Sequence, residues 1–294
     1  MKILICSDGS EQADSTLKFG ALIAAGNGAA VTLLGVVENA GDEGPLLDAL
    51  KRGMEFAKGL NVNIELLTKS GDPVAEIKKH TAEKAYDLVL IGAVYKGHAG
   101  PFIMSVKAYK LIKIIGAPVL VVVGSRPQLK KVLICSGGRS YIHKAIDLTV
   151  KVALPLGATV TLFHVLPEAP AMYDNIMERT ENAETLLASN SMLGLNLRRE
   201  KELLEKAGVK TEVMVRYGDV TPEILEQIRV GDYDLIVTGS SPMGGAVHTY
   251  LMGDVTSEIV NRSQRPVLVV RGSGHRPRGI FAFLKRLFGR GART

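Results

Sequence analysis

Two cysteines are too few to staple a chain of 294 residues, which excludes a disulfide framework and points to a reducing cytoplasm. No apolar run reaches the roughly 18 to 20 residues that a bilayer span needs. The first residues, Met1 to Cys6, lack the apolar length and the cleavage site of a signal peptide. Acidic residues are missing from one end: between Arg271 and Thr294 there are seven Lys or Arg and no Asp or Glu. Taking those seven charges from the net +6 leaves the body at −1. The basic character is therefore local, which argues against a nucleic-acid-binding body, and no nucleic-acid partner is expected. The six histidines show no metal-ligand spacing and are expected at the surface or in loops, so no metal site is expected. No Ser-His-Asp arrangement and no paired carboxylates stand out, so catalysis has no sequence support.

What is present reads as folded and duplicated. Hydrophobic residues are 46% and charged ones 22%, a globular balance, and at about 150 residues per domain the length suggests two. The chain matches itself in order. Lys2 to Ser7 lies over Lys131 to Ser136, and the match runs without a gap to Gly28–Leu33 over Gly157–Leu162. Gly71-Asp72 then matches Gly218-Asp219, Tyr86-Asp87-Leu88 matches Tyr233-Asp234-Leu235, and Pro118–Val122 matches Pro266–Val270.

Val, Ile and Leu runs near 2–7, 30–37, 62–68, 86–91 and 118–123 read as strands in the first copy. Their near-continuous apolar character suits a parallel sheet covered on both faces. Segments such as 11–25 and 74–84 have helical composition and the length for right-handed crossovers. The second copy repeats the scheme near 130–136, 158–165, 209–216, 233–239 and 266–270, with a longer charged helical stretch from Glu181 to Lys206. The link, 124–128, is short and turn-like, so the domains are expected to pack closely. The expected units are 1–124, 129–272 and a tail, 273–294.

Several of these patterns resemble the universal stress protein family: the Lys-Ile/Val-Leu-Ile opening strand, Asp8-Gly9-Ser10 at a helix start, the Gly-Asp turn, the Tyr-Asp-Leu strand ending in Gly, and the Pro-Val-Leu-Val-Val last strand. The resemblance implies two tandem five-stranded parallel α/β sandwich domains, adenine nucleotide alpha hydrolase-like. Their last strands would pair about a pseudo-two-fold to make a dimer within one chain; further homo-oligomers stay open. It implies a stress-response or regulatory binding protein. Many members bind ATP or AMP and others bind no nucleotide, so both alternatives stay open here.

Nucleotide-binding members carry Gly-x-x-Gly, nine residues, then Gly-Ser/Thr, because glycines let the backbone approach phosphates and a helix N-terminus supplies donors. The first copy keeps Asp8 and Gly92, but Tyr95 and Ser105-Val106 replace the later positions. The second keeps Gly239 and Gly253, with Pro242 at the second glycine, one extra loop residue, and Asp254 where a hydroxyl is expected; Gly137 stands in place of Asp8. Gly244, Gly245 and Thr256 would rebuild a shifted cradle there, which puts the second copy ahead of the first. The resulting candidate ligand contacts are Asp8, Val36 and Gly92, then Ser136, Gly137, Val165, Gly239, Gly244, Gly253 and Thr256.

Two further features stand apart from that pattern. Ser136-Gly137-Gly138-Arg139-Ser140 is similar to the pyrophosphate loop of PP-loop ATP pyrophosphatases without its Asp, so an ATP-splitting enzyme is the third-placed reading. Cys6 and Cys135 occupy matching strand ends, expected buried, with thiol pKa values lowered by the helix starts should they be exposed. Finally, the segment 278–290, wound as a helix, would place Ile280, Phe281, Leu284, Leu287 and Phe288 on one face. Such a basic amphipathic stretch lies on an anionic membrane or docks on protein. A membrane-peripheral scaffold acting through this tail is therefore the alternative to a nucleotide-binding protein.

Overall fold

The computed structural model describes residues 1–93, 105–124, 126–138, 142–167, 183–240 and 253–271. In the first half, β1 (Lys2–Ser7), α1 (Glu11–Asn27), β2 (Ala30–Val37), α2 (Glu43–Gly59), β3 (Ile64–Ser70), α3 (Pro73–Glu83), β4 (Leu88–Gly92), α4 (Val106–Ile114) and β5 (Val119–Val122) follow one another. The second half runs β6 (Lys131–Cys135), α5 (His143–Ala153), β7 (Thr159–Leu166), α6 (Ala183–Ala188), α7 (Met192–Lys206), β8 (Thr211–Tyr217), α8 (Val220–Val230), β9 (Leu235–Ser240), α9 (Asp254–Arg262) and β10 (Val267–Arg271). The charged helical stretch expected from Glu181 to Lys206 thus holds two helices, α6 and α7. Ser191 ends the break by accepting the Gly194 N–H at 3.0 Å, which starts α7 afresh.

All ten strands join one sheet in the order β3-β2-β1-β4-β5-β10-β9-β6-β7-β8. Pairing is parallel within each half, and β5 meets β10 antiparallel, with Val121 opposite Val267 and Val119 opposite Val269. The two tandem α/β domains are therefore joined through their last strands. Arg271 adds a second tie near this seam, donating from Nη2 to the Ile112 carbonyl near the end of α4.

Side-chain alternation explains why the inner strands are largely apolar, while the edge strands β3 and β8 carry charged residues. Ile3 and Ile5 enter one core, while Leu4 and Cys6 enter the other, on the opposite face. The first core takes residues from α1, α2, α5 and α7; the second takes them from α3, α4, α8 and α9. Each core includes residues from both halves and so continues across the seam.

The duplicated Tyr-Asp pair has a structural role in both copies. Tyr86 OH meets His80 Nε2 at 2.8 Å, and Tyr233 OH accepts from Gln227 Nε2 at 2.9 Å. Asp87 accepts the Lys2 N–H at 2.7 Å, and Asp234 accepts the Lys131 N–H at 3.0 Å. These buried or edge-on polar contacts fix where the fourth strand of each half meets the first.

Candidate functional site

The strand order reverses direction between β1 and β4, and again between β6 and β9. Such switch points leave a crevice at the carboxyl ends of the strands. In the first half this crevice is a cleft of about 530 Å³, a volume in the range of small-ligand sites. Asp8, Val36 and Gly92, the three candidates of the first copy, all line it, together with Glu38, Asn39, Asp42, Ser105 and Lys107.

Each lining group has a local reason to be there. Asp8 is exposed, and its Oδ1 accepts the Ser10 N–H at 3.0 Å. Ser10 in turn caps α1 through the Ala13 N–H at 3.2 Å. Val36 is buried in the sheet and forms an apolar wall. Ser105, where a glycine was expected, caps α4 by accepting the Ala108 N–H at 3.1 Å. Lys107, in the first turn of α4, forms an ion pair with Glu38 at the end of β2, both half-exposed. Sequence reasoning missed Glu38 and Lys107; a basic residue directly after the substituted Gly-Ser/Thr pair was the available signal.

The second half is arranged differently. Ser136 is buried, and its hydroxyl donates to Glu200 Oε2 at 2.8 Å while accepting the Gly138 N–H at 3.1 Å. The Ser136 carbonyl accepts from His164 Nδ1–H at 2.7 Å, and Asn196 donates to the Gly138 carbonyl at 2.8 Å. A Cβ placed on Gly138 would stand 2.4 Å from Leu193 Cδ1 and 3.2 Å from His164 Cε1, so α7 and β7 side chains close over this turn. The positions matching His164 and Glu200 in the first half are Gly35 and Gly53. Gly53 lines an open groove between α1 and α2.

Gly137 and Gly253 face open space, with nothing within 4 Å of an added Cβ. Gly239 lies at the end of β9, and Val165 is buried in the sheet. Thr256 does not present its hydroxyl outward: it is buried, 3.1 Å from Thr238 Oγ1 and 3.4 Å from the Gly239 carbonyl. Gly244 lies outside the described residues, as do Tyr95, His98, Arg139, Ser140, Pro242, Gly245, His248 and the tail.

Burial decides the titration of the interior groups. It pushes the Glu200 carboxyl up to about 7, with the Ser136 hydrogen bond pulling the other way. It also pushes the Cys6 and Cys135 thiols up to about 12, opposite to the lowering considered for helix-start thiols. Two histidines expected at the surface lie in the core instead, His80 against Tyr86 and His164 against the Ser136 carbonyl. Burial lowers the pKa of both, and the carbonyl partner identifies Nδ1 as the protonated nitrogen of His164. Among the described residues, no group of three or more His, Cys, Asp or Glu could hold a metal ion, and no helix is long and apolar enough to cross a membrane.

Against known families, the profile of the Universal stress protein family matches twice, over residues 1–123 and 128–271. The chain belongs to the universal stress protein family. Among solved structures, a universal stress protein from Archaeoglobus fulgidus DSM 4304 is similar at 17% identity, with 92% of this chain and 98% of that chain covered and a TM-score of 0.66. A Pseudomonas aeruginosa UCBPP-PA14 protein assigned to the same family is similar at 19% identity, with 97% and 96% covered and a TM-score of 0.68. At these identities the likeness is one of fold. No curated protein matches the sequence. As a tandem universal stress protein, the chain carries in one polypeptide two halves whose switch points differ in what fills them.

Proposed function

We propose that this universal stress protein is a regulatory binding protein that takes an adenine nucleotide, ATP or AMP, in the first-half cleft. The observation that carries the reading is the cleft of about 530 Å³ gathering Asp8, Val36, Gly92 and the start of α4 at one switch point. Asp8 would hold the nucleoside end, and Gly92 with the first turn of α4 would meet the phosphate end. The crowding of Gly138 by Leu193 and His164 supports a second half that serves as a structural mate rather than a second ligand site. The tie between Ser136 and Glu200 speaks against a pyrophosphate loop and an ATP-splitting reaction, so the protein is read as a binder rather than a catalyst. The functional units are taken as 1–124 and 129–272.

Thermal unfolding with and without nucleotide tests this. A ligand at 100 times its Kd stabilises the folded state by about 2.7 kcal/mol. Gly92→Glu is expected to abolish the stabilisation and Gly253→Glu to leave it intact. Absence of any shift at millimolar ATP or AMP overturns the reading.

A second reading rests on the seven basic residues and no acidic ones after Val270, with three of the seven phenylalanines of the chain among them. In it the protein is cytoplasmic and membrane-peripheral, held to anionic lipid through 278–290. Flotation with anionic liposomes, full-length chain against a chain ending at Gly272, decides it: equal flotation removes the membrane proposal.

A further inference from the structure

The charges around the first-half cleft are unbalanced in a way that bears on which nucleotide enters it. Among the described residues lining it are three carboxylates, Asp8, Glu38 and Asp42, and a single cation, Lys107. That cation is already paired with Glu38, and the pair bridges the end of β2 and the start of α4. Asp8 and Asp42 are exposed, and their contacts, the Ser10 N–H at 3.0 Å and the Asn39 amide at 3.3 Å, are to neutral donors. The pair belongs to this half alone: the matching positions in the second half hold Pro167 and Val255.

We propose that the cleft selects a nucleoside monophosphate over the triphosphate, and that Lys107 reads the single phosphate by exchanging its Glu38 partner for it. The inference rests on the nucleotide reading above. An ammonium group is a compact point charge with three donors, suited to one phosphate. The Ser105 hydroxyl takes the Ala108 N–H and the Ser105 carbonyl the Tyr109 N–H, which leaves the Val106 and Lys107 N–H groups of the first turn of α4 to meet that same phosphate. A β- or γ-phosphate would bring further negative charge toward Asp8, Glu38 and Asp42, with no second cation among the described lining residues to offset it. Glu38 has two effects. It competes with the ligand for Lys107, and it repels any phosphate beyond the first. All four charged groups are solvent-accessible, so the discrimination is screened by salt.

Calorimetric titration of the full-length protein at low salt with adenosine, AMP and ATP, each with and without magnesium, tests this. AMP is expected to bind about ten-fold tighter than ATP. Lys107→Ala is expected to bring the affinity for AMP toward that for adenosine. Glu38→Gln is expected to tighten AMP and to narrow the gap to ATP, and high salt is expected to shrink both effects. Lys107 and Glu38 are both half-exposed, so neither substitution threatens folding. ATP binding as tightly as AMP, or an AMP-to-adenosine ratio unchanged in Lys107→Ala, overturns the inference while leaving nucleotide binding standing. Failure of all three ligands to bind a protein shown folded by circular dichroism overturns the nucleotide reading itself, and this inference with it.

Discussion

Glu200 is 2% exposed on α7, and its carboxyl has one hydroxyl partner, so burial holds its pKa at about 7 instead of the ordinary 4.5. The native state therefore keeps a proton that the unfolded chain has released. Its contribution to stability is complete below the unfolded value, falls as pH rises from about 4.5 to about 7, and is flat above that. Glu200→Gln removes the charge and can keep the contact to Ser136. It is expected to stabilise the protein at about pH 8 by on the order of 2 kcal/mol and to flatten the slope, as read by urea unfolding at several pH values. The cysteines are a second residue-scale case. With Cys6 and Cys135 pushed up to about 12, the thiols stay protonated near neutrality, and both are expected to react with maleimide slowly in the native state and promptly in denaturant. Burial was expected for both cysteines, and Cys6 is buried while Cys135 is half-buried; the environment of Glu200 was not legible in the sequence. Glu200 reads as one charge in a charged helical stretch, and its partner Ser136 is 64 residues away. His164 likewise reads as a loop histidine until the Ser136 carbonyl is placed beside it. A buried polar side chain is defined by a partner from another element, which periodicity does not encode.

The inner strands, by contrast, were legible, because both of their faces meet a core and Val, Ile and Leu fill most of both sets of positions. The first residues of the strands shift by a position or two, as at β3 and β4, since strand ends are set by hydrogen bonds rather than by apolar content. The helix starts show how a duplicated motif can act unequally. Asp72 accepts the Ala75 N–H at 2.8 Å and has Pro73 at the first helical position, whereas Asp219 makes no side-chain cap. Asp72→Ala is expected to cost about 1 kcal/mol, and Asp219→Ala clearly less; chemical denaturation of the two variants side by side checks the difference. The candidate ligand loops were only half legible. Asp8, Val36 and Gly92 converge on the cleft as their order along the strands implies, whereas the closing of the Gly138 turn depends on Leu193, delivered by a helix that starts after the break at Ser191.

On the scale of the molecule, both cores cross the β5–β10 seam, so neither half has a private interior. Heating is expected to give one cooperative transition, with calorimetric and van't Hoff enthalpies in agreement; two resolved transitions in scanning calorimetry would show the halves to be independent. Leu268 is fully buried on β10 opposite Leu120, and Leu268→Ala is expected to lower stability by about 2 to 5 kcal/mol without splitting the transition. The antiparallel seam also bears on inheritance. In an assembly of identical subunits any substitution is copied into every subunit, so a side chain that plugged one site would plug them all. Here the mate is a later stretch of the same chain, and the position that Glu200 holds in the second half is Gly53 in the first. A substitution that fills the turn of one half therefore leaves the cleft of the other as it is.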